Sequence, residues 1–277
     1  MPSARRPLLR GGIERDLRAV RVVWHREILR FVKDRPRLVA GLVQPVLYLF
    51  VMGTGISAMI PVTHGVPFRT FLFPGVLCMA VLFTSFFSAG SLVHDRELGF
   101  MREMMVAPVR RGAILVGKCL GGTTAGTFQG VLMLIIGAIG GVRTTPELVA
   151  TLLFEVVVVS FAITALGLAL ATRVRSIQAF MAIMQVVLFP MFFASGALYP
   201  IEDLPGWLEI LTRLDPLTYA VTPFRRAVLD AAGQGALAPA VTWGTFRVPT
   251  WLDVVVVAAL ALIALRSAAR AFSRTDA

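Results

Sequence analysis

The feature that most constrains this chain is a series of six long apolar stretches that carry almost no charge. They cover residues 38–60, 71–93, 113–140, 148–171, 177–198 and 251–265. A helix needs roughly 20 apolar residues to cross the hydrocarbon layer of a membrane. Hydrophobic residues fill 57% of the 277 positions, more than the core of a soluble chain of this length could enclose. The sequence therefore predicts an all-α integral membrane protein with six transmembrane helices.

Positive charge marks one side of this predicted bundle. Of the 27 Lys and Arg residues, 11 lie within residues 5–37, ahead of the first span, whereas the two short loops on the opposite side carry only Arg69 and Arg143. Loops rich in Lys and Arg stay in the cytoplasm, which predicts an N-in, C-in orientation. The chain then divides into a cytoplasmic helix (1–37), a transmembrane domain (38–271) and a cytoplasmic tail (272–277). Because basic–aromatic motifs are missing, the charge does not indicate a nucleic-acid partner.

The basic N-terminal segment has the periodicity of an amphipathic helix. One predicted face carries Ile13, Leu17, Val20, Trp24, Ile28 and Phe31, and arginines including Arg15, Arg18, Arg26 and Arg30 lie mostly on the other side. Such a helix can lie in the inner membrane interface, with Trp24 as an anchor and the arginines at anionic headgroups. It can also dock a cytoplasmic partner, and the two interpretations are compatible.

The stretch GAILVGKC, residues 112–119, has the spacing of a phosphate-binding P-loop except at its last position. Cys119 replaces the hydroxyl residue that would bind magnesium, the four intervening residues are apolar, and the chain then enters a membrane span. We therefore expect no nucleotide site here. Gly112 and Gly117 are expected to permit close helix packing, and Lys118 is expected to extend to the inner interface. No catalytic constellation, metal site or bound cofactor is predicted elsewhere in the chain.

Two connecting segments carry further structure. Between the second and third spans, residues 95–108 predict a short helix with a methionine-rich face, ended by Pro108; by itself this pattern is more typical of a solvated loop. On the outer side, prolines divide residues 199–229 into short apolar pieces beside acidic residues, which predicts half-inserted re-entrant helices before the last span. Residues 230–250 match no pattern.

Both segments resemble a known family. The RE-x-G of Arg96, Glu97 and Gly99, followed by Pro108–Val109 and Gly117–Lys118, resembles the coupling-helix region of ABC type-2 transporter permeases, especially those of the daunorubicin/doxorubicin exporter type. The second match is SGALYPIEDLPGWLEILTRLDPLTYAVTPFRRAVL, residues 195–229. It is similar to the family's outer signature, with its S-G-x-x-x-P turn, L-P-x-W-L, D-P-L-T-Y and closing arginine.

This resemblance implies a non-catalytic subunit of an ATP-driven exporter in the bacterial plasma membrane. Two permease subunits would form the pathway in the lipid, and two copies of a separate ATPase would bind ATP and Mg. The residues expected to contact the ATPase are Arg96, Glu97, Gly99, Met101, Arg102, Glu103, Met105 and Pro108. An outer lid would contain Gly196, Pro200, Pro205, Trp207, Asp215, Pro216 and Tyr219.

Side chains of the second and fifth spans are candidates for the substrate pathway. In the family these helices line a central cavity, which here would be rich in Phe and Met and would suit amphipathic drugs or lipids. The candidates are Phe83, Phe86, Phe87, Gln129, Glu155, Met184, Gln185 and Leu188. Glu155 is the only carboxylate well inside a predicted span; it can serve a helix–helix hydrogen bond or meet a cationic substrate.

Three alternatives stay open at this point. Within the family, the substrate could be a polysaccharide or lipid-linked glycan, and the pathway could be a homodimer or a heterodimer. A lipid-modifying membrane enzyme is disfavoured because no span carries paired carboxylates or a nucleophile beside a base. A secondary transporter is disfavoured by the scarcity of charges inside the spans and the lack of an inverted repeat.

Overall fold

The structure, a computed structural model, describes residues 6–59, 62–63, 66–99, 110–201, 204–235, 241–243 and 246–274. In chain order the helices are α1 (Arg6–Lys33), α2 (Arg35–Leu47), α3 (Gly53–Met59), α4 (Phe68–Ala89), α5 (Ser91–Glu97), α6 (Arg111–Ile139), α7 (Pro146–Ala171), α8 (Ile177–Ala194), α9 (Gly206–Leu214), α10 (Thr218–Ala231) and α11 (Thr250–Arg274). A π-helical turn, Tyr48–Met52, joins α2 to α3. Two antiparallel hairpins of two-residue strands pair β1 (Val62–Thr63) with β2 (Val66–Pro67) and β3 (Thr242–Trp243) with β4 (Phe246–Arg247).

Within the described ranges, six helical segments are long and apolar enough to cross a membrane, which confirms the predicted all-α fold class. They are Arg35–Met59, Phe68–Glu97, Arg111–Ile139, Pro146–Ala171, Ile177–Ala194 and Thr250–Phe272. The last helix, α11, runs well beyond the predicted end of its span at residue 265. Ala268 and Phe272, one turn apart, are still buried against the bundle although Arg266 and Arg270 flank them, so packing extends the helix past the apolar stretch.

Helix α6 packs against α1, α4 and α7. Glycines spaced four residues apart allow this close approach. A Cβ atom added at Gly126 would lie 2.0 Å from Ser85 Oγ and 2.7 Å from Ser160 Oγ, and one at Gly122 would lie 2.4 Å from Thr164 Cγ2. Small residues are typical of helix contacts in membranes, where packing replaces the hydrophobic effect as the driving force.

The first and fifth spans lie at the periphery of the bundle. In their most apolar windows only 17% and 22% of residues are buried, against 72% in the second span. On α8, Met184 and Leu188 face the bundle, whereas Val186 is 73% exposed and Phe193 is 47% exposed. Two membrane helices therefore present open apolar faces to lipid or to another chain.

The face of α1 that packs on the bundle coincides only in part with the predicted apolar face. Phe31 of that face is buried and packs on Phe128, and the Trp24 indole donates a hydrogen bond to Thr124 Oγ1 at 3.0 Å. Val23 and Glu27 are buried against α6 although they were not predicted, and Leu17 is exposed. Arg26 and Arg30, which were expected on the polar side of this helix, both bind Asp95 through their guanidinium groups.

The outer segment before the last span contains two short helices, α9 and α10. Pro205 precedes α9 and Pro216 lies between the two helices, but Pro223, which was expected to break the chain, lies inside α10. Helix α10 continues past it because its buried side packs against α4, α7 and α11, so tertiary contacts outweigh the missing backbone N–H.

Candidate functional site

The end of the second span is attached to the start of the fifth. Glu97 Oε1 accepts a hydrogen bond from the backbone N–H of Ile177 at 3.0 Å, and Arg96 Nη1 donates to the carbonyl of Val174 at 3.1 Å. Ile177 begins α8, where free N–H groups and the helix dipole favour a carboxylate, and Val174 lies in the loop just before this helix. The two hydrogen bonds connect α5 to this loop and to the first turn of α8.

Gly99 ends this helical segment through its backbone conformation. Its φ angle is +77°, in the left-handed region that glycine adopts without strain, and its N–H donates to the carbonyl of Arg96 at 3.2 Å. Among the residues that the structure describes, a Cβ atom at this position would meet nothing within 4 Å, and the positive φ angle by itself favours glycine. The other residues predicted to contact an ATPase, namely Met101, Arg102, Glu103, Met105 and Pro108, lie outside the described residues.

A buried ionic cluster lies next to the contacts between α5 and α8. It connects α1, α5 and α6. Lys118 Nζ is 2.8 Å from Glu27 Oε1, 2.6 Å from Asp95 Oδ2 and 3.0 Å from Ser91 Oγ. Arg26 and Arg30 complete the cluster by binding Asp95 from the more exposed side. Only 1% of the Lys118 side chain is exposed, so the prediction that it extends to the interface was wrong. The bundle satisfies this charge internally.

The charges of the cluster are held as ions by one another. Burial by itself raises the pKa of Glu27, but the charge and hydrogen bond of Lys118 outweigh burial and leave that pKa below its ordinary value. Because Glu27 stays ionised, its attraction to Lys118 holds the amphipathic helix α1 against α6.

Gly117 and Gly121 explain how α1 comes close enough to form the cluster. A Cβ atom at Gly117 would lie 2.8 Å from Val23 Cβ, and one at Gly121 would lie 2.5 Å from Glu27 Cβ. The expectation of close packing thus applies to Gly117 but not to Gly112, which has open space around it. The P-loop-like stretch is one continuous part of α6, and its lysine amine is bound to two carboxylates.

Three of the predicted pathway residues line one cavity. Phe83 and Phe87 of α4 and Gln129 of α6 face a space of about 460 Å³ that α2 closes on its other side with Arg37 and Gly41. Volumes of this size are typical of small-molecule sites. Phe83 also packs against Phe189 of α8, with ring centroids 5.3 Å apart.

The other predicted pathway residues lie elsewhere. Phe86 is buried and stacks on Phe180, while Met184 and Leu188 pack inside the bundle. Gln185 is exposed on the outer face of α8. The eight candidates therefore do not form one site, because neighbouring positions on a helix point in different directions.

Glu155 belongs to a separate acidic region between α7, α10 and α11. It is 4% exposed, and the charges of Asp253 and Arg226 act on it. Asp253 is fully buried, and neither of its oxygens has a hydrogen-bond partner among the described residues. Among the residues that the structure describes, no group of three or more His, Cys, Asp or Glu side chains could hold a metal ion.

The outer lid is organised around Arg225, whose role the sequence did not indicate. This fully enclosed guanidinium donates to the carbonyls of Gly196 at 2.8 Å and Ala197 at 2.9 Å, and it lies over the Phe71 ring at 4.3 Å. Gly196 itself has φ +70°. Sequence signals alone could not have separated Arg225 from Arg226, which donates instead to Thr250.

The remaining lid residues surround this centre at different depths. Tyr219 donates from its hydroxyl to the carbonyl of Arg213 at 2.9 Å and accepts a hydrogen bond from Trp243 Nε1 at 3.1 Å. Asp215 Oδ1 accepts the N–H of Leu217 at 2.9 Å, while Trp207 is 67% exposed. Pro200 and Pro205 lie at the turns that lead into α9.

Replacing Asp215 by Asn is expected to remove one source of pH dependence. Burial raises the pKa of Asp215 to about 7, although its bond from Leu217 N–H opposes this. Since the unfolded carboxyl ionises at lower pH, the native state is favoured at acidic pH, and about 4 kcal/mol of this contribution is lost as pH rises from about 4 to 7. Asn keeps the acceptor for Leu217 and cannot ionise. Apparent melting temperatures of the parent, D215N and the exposed-site control D230N, measured from pH 5 to 8, check this; equal pH slopes for parent and D215N would contradict it.

Six spanning segments in the described part of the chain, one of them lined with glycines, and a cavity open at the side fit a membrane transport protein. Residues 18–229 match the ABC-2 type transporter family. The chain belongs to this family, and it is a transport permease by its family and by the names of its relatives.

The relatives are moderately similar over most of their length. The chain is 31% identical over 198 residues to a protein named as a transport permease, ycf38 of Porphyra purpurea, covering 68% of this chain and 66% of that one. It is 27% identical to the inner membrane transport permease YadH of Escherichia coli, covering 76% and 83%. It is 24% identical to nodulation protein J of Sinorhizobium fredii, covering 77% and 82%.

Proposed function

We propose that this chain is the permease subunit of an ATP-binding cassette exporter in a bacterial plasma membrane. Two permease subunits, identical or different, form the pathway, and two copies of a separate ATPase bind ATP with Mg and drive transport. The chain itself binds no cofactor. The substrates are amphipathic drugs, antibiotics or lipids, and both chain termini lie in the cytoplasm.

The observation that carries this proposal is the set of contacts by which α5 is connected to α8 and to the buried ionic cluster. Glu97 and Arg96 connect the second span to the fifth. Asp95, on the same helix α5, connects the second span to α1 and α6. A partner that moved the segment after Gly99 would therefore act on four helices together. Such a connection suits a subunit that receives mechanical work from another chain.

The open faces of the first and fifth spans support a second permease subunit. Exposed Val186 and Phe193 on α8, and the exposed apolar residues Val39 and Val43 on α2, provide apolar surface at membrane depth. The aromatic cavity beside α2 supports the proposal of amphipathic substrates. Phe83 and Phe87 form an apolar wall, and the polar side chains of Gln129 and Arg37 lie next to it.

Replacing Glu97 by Ala is expected to uncouple ATP hydrolysis from transport. The variant loses the hydrogen bond to Ile177 N–H but no core contact, so it still folds, while ATP-dependent export falls about tenfold and basal ATPase activity of the complex persists. The measurement is export from proteoliposomes containing the permease and the ATPase encoded beside it, with hydrolysis recorded in the same sample.

Glu147→Ala is the matched control, because Glu147 is an exposed carboxylate at the opposite end of the bundle. It is expected to leave both activities unchanged. Normal export by the Glu97 variant would contradict the role of the contact between α5 and α8. ATP hydrolysis by the purified permease alone would contradict the assignment of this chain as a non-catalytic subunit.

A further inference from the structure

The cavity between α2, α4 and α6 contains a polar group that the protein does not satisfy. Gln129 is 1% exposed, yet neither its Oε1 nor its Nε2 has a hydrogen-bond partner among the described residues. A buried carboxamide without partners is costly, and most such groups in native proteins bind water or a ligand. The amide thus provides both a donor and an acceptor for an occupant of the cavity.

Gly41 keeps the space in front of this amide open. A Cβ atom at Gly41 would lie 3.2 Å from Gln129 Nε2 and 3.5 Å from Thr84 Oγ1. Any larger residue would therefore fill the opening between α2 and the two polar side chains.

Arg37 supplies positive charge at the end of the cavity nearer the N-terminus of α2. Its guanidinium lies 3.9 Å from the centroid of the Phe87 ring and donates to Ser88 Oγ at 3.4 Å. In the described part of the chain no carboxylate forms an ion pair with it. Asp34 at the rim offsets part of the charge, but its Oδ1 accepts the backbone N–H of Arg37 at 3.3 Å. The guanidinium is therefore available to an anionic group, and arginine binds phosphate well.

The spacing of these groups matches one class of molecule. Gly41 follows Arg37 by four residues, which is about 6 Å along a helix. An anionic group at Arg37, an ester or hydroxyl one helical turn deeper at Gln129, and a hydrocarbon chain along Phe83 are the parts of a phosphoglyceride in this order. A small anion at Arg37 would leave both Gln129 and the aromatic wall without a partner.

We propose that this cavity binds an anionic phosphoglyceride from the membrane leaflet next to the N-terminal helix, with its phosphate at Arg37 and its glycerol ester region at Gln129. Its role as a loading site for export depends on the proposed function, whereas binding depends only on the permease. The occupant comes from the surrounding bilayer, in agreement with the peripheral position of α2.

The test is photo-crosslinking of the purified full-length permease in phosphatidylcholine nanodiscs that contain a diazirine-labelled phosphatidylglycerol. Labelled peptides are expected from residues 31–41 and 83–87. Arg37→Gln and Gln129→Leu are each expected to weaken this labelling about tenfold, and Gly41→Leu, which fills the opening, is expected to abolish it. Unlabelled phosphatidylglycerol is expected to compete, and phosphatidylcholine is not.

Two matched controls separate binding from general damage. Arg35→Gln removes an exposed arginine two residues from Arg37, and Gly55→Leu places the same side chain at a glycine with open space around it. Both are expected to retain labelling. Gln129→Leu removes an unsatisfied polar group, so it is expected to elute as a folded protein.

Unchanged labelling in Arg37→Gln or Gln129→Leu would overturn the proposal. Protection of the cavity by a second copy of the chain, detected as crosslinks between two permease subunits at residues 83–87 in place of lipid adducts, would also overturn it. Because no ATPase is present, lipid labelling without any ATP-driven export in a separate assay would refute the proposed function and leave this inference intact.

Discussion

Replacing Lys118 by Met is expected to cost the folded protein about 3–5 kcal/mol, one of the two largest effects of a single substitution that we predict. The ammonium group is the only cation of the ionic cluster that lies fully inside the bundle, and it contacts both Glu27 and Asp95. Without it, Glu27 keeps only a longer contact of 3.3 Å with Arg26. A buried carboxylate that loses its main counterion is strongly destabilising. The apparent melting temperature in detergent is expected to fall by roughly 10 °C.

The chain offers a matched control and a test of the cause. Lys33→Met makes the same change at an exposed position and is expected to have little effect. Combining Lys118→Met with Glu27→Gln removes the carboxylate that has lost its main counterion, so the double variant is expected to recover part of the lost stability. If the double variant were no more stable than Lys118→Met, loss of packing rather than charge would be the cause.

The sequence predicted the spans because each is a local property. Some 20 apolar residues without charge have few structural alternatives in a membrane protein. The packed face of α1, in contrast, depends on α6. Gly117 and Gly121 open a groove that admits Glu27, and Lys118 neutralises it, so a polar face is buried and Leu17 is left outside. Periodicity in α1 alone could not indicate this arrangement.

The candidate site was predictable only in part for the same reason. The motif of Arg96, Glu97 and Gly99 was identified from its resemblance to a family, and the structure adds the contacts with Val174 and Ile177 that connect it to α8. The pathway residues were chosen by helix and by type, which does not determine their direction. Gln129 faces the cavity beside α2, but Phe86 points into the core.

Replacing Arg225 by Met is expected to destabilise the outer end of the bundle by about 3–5 kcal/mol. The fully buried guanidinium donates to three backbone carbonyls in the turn after α8, those of Gly196, Ala197 and Tyr199, the last at 3.4 Å. Methionine fills a similar volume but donates nothing, and each buried carbonyl left unsatisfied costs about 1–3 kcal/mol. The measurement is the apparent melting temperature in detergent, with Arg247→Met as the control at an exposed position of the same outer segment.

A second substitution tests the same turn from the opposite side. A Cβ atom at Gly75 of α4 would lie 1.9 Å from the carbonyl oxygen of Ala197, one of the acceptors of Arg225, so Gly75→Ala must displace the turn. Because both changes disrupt one contact region, the double variant is expected to be much less destabilised than the sum of the two single effects. Full additivity would mean that Arg225 and Gly75 act on separate parts of the fold. A wild-type melting temperature for Arg225→Met would mean that its three hydrogen bonds do not hold the outer turn in place.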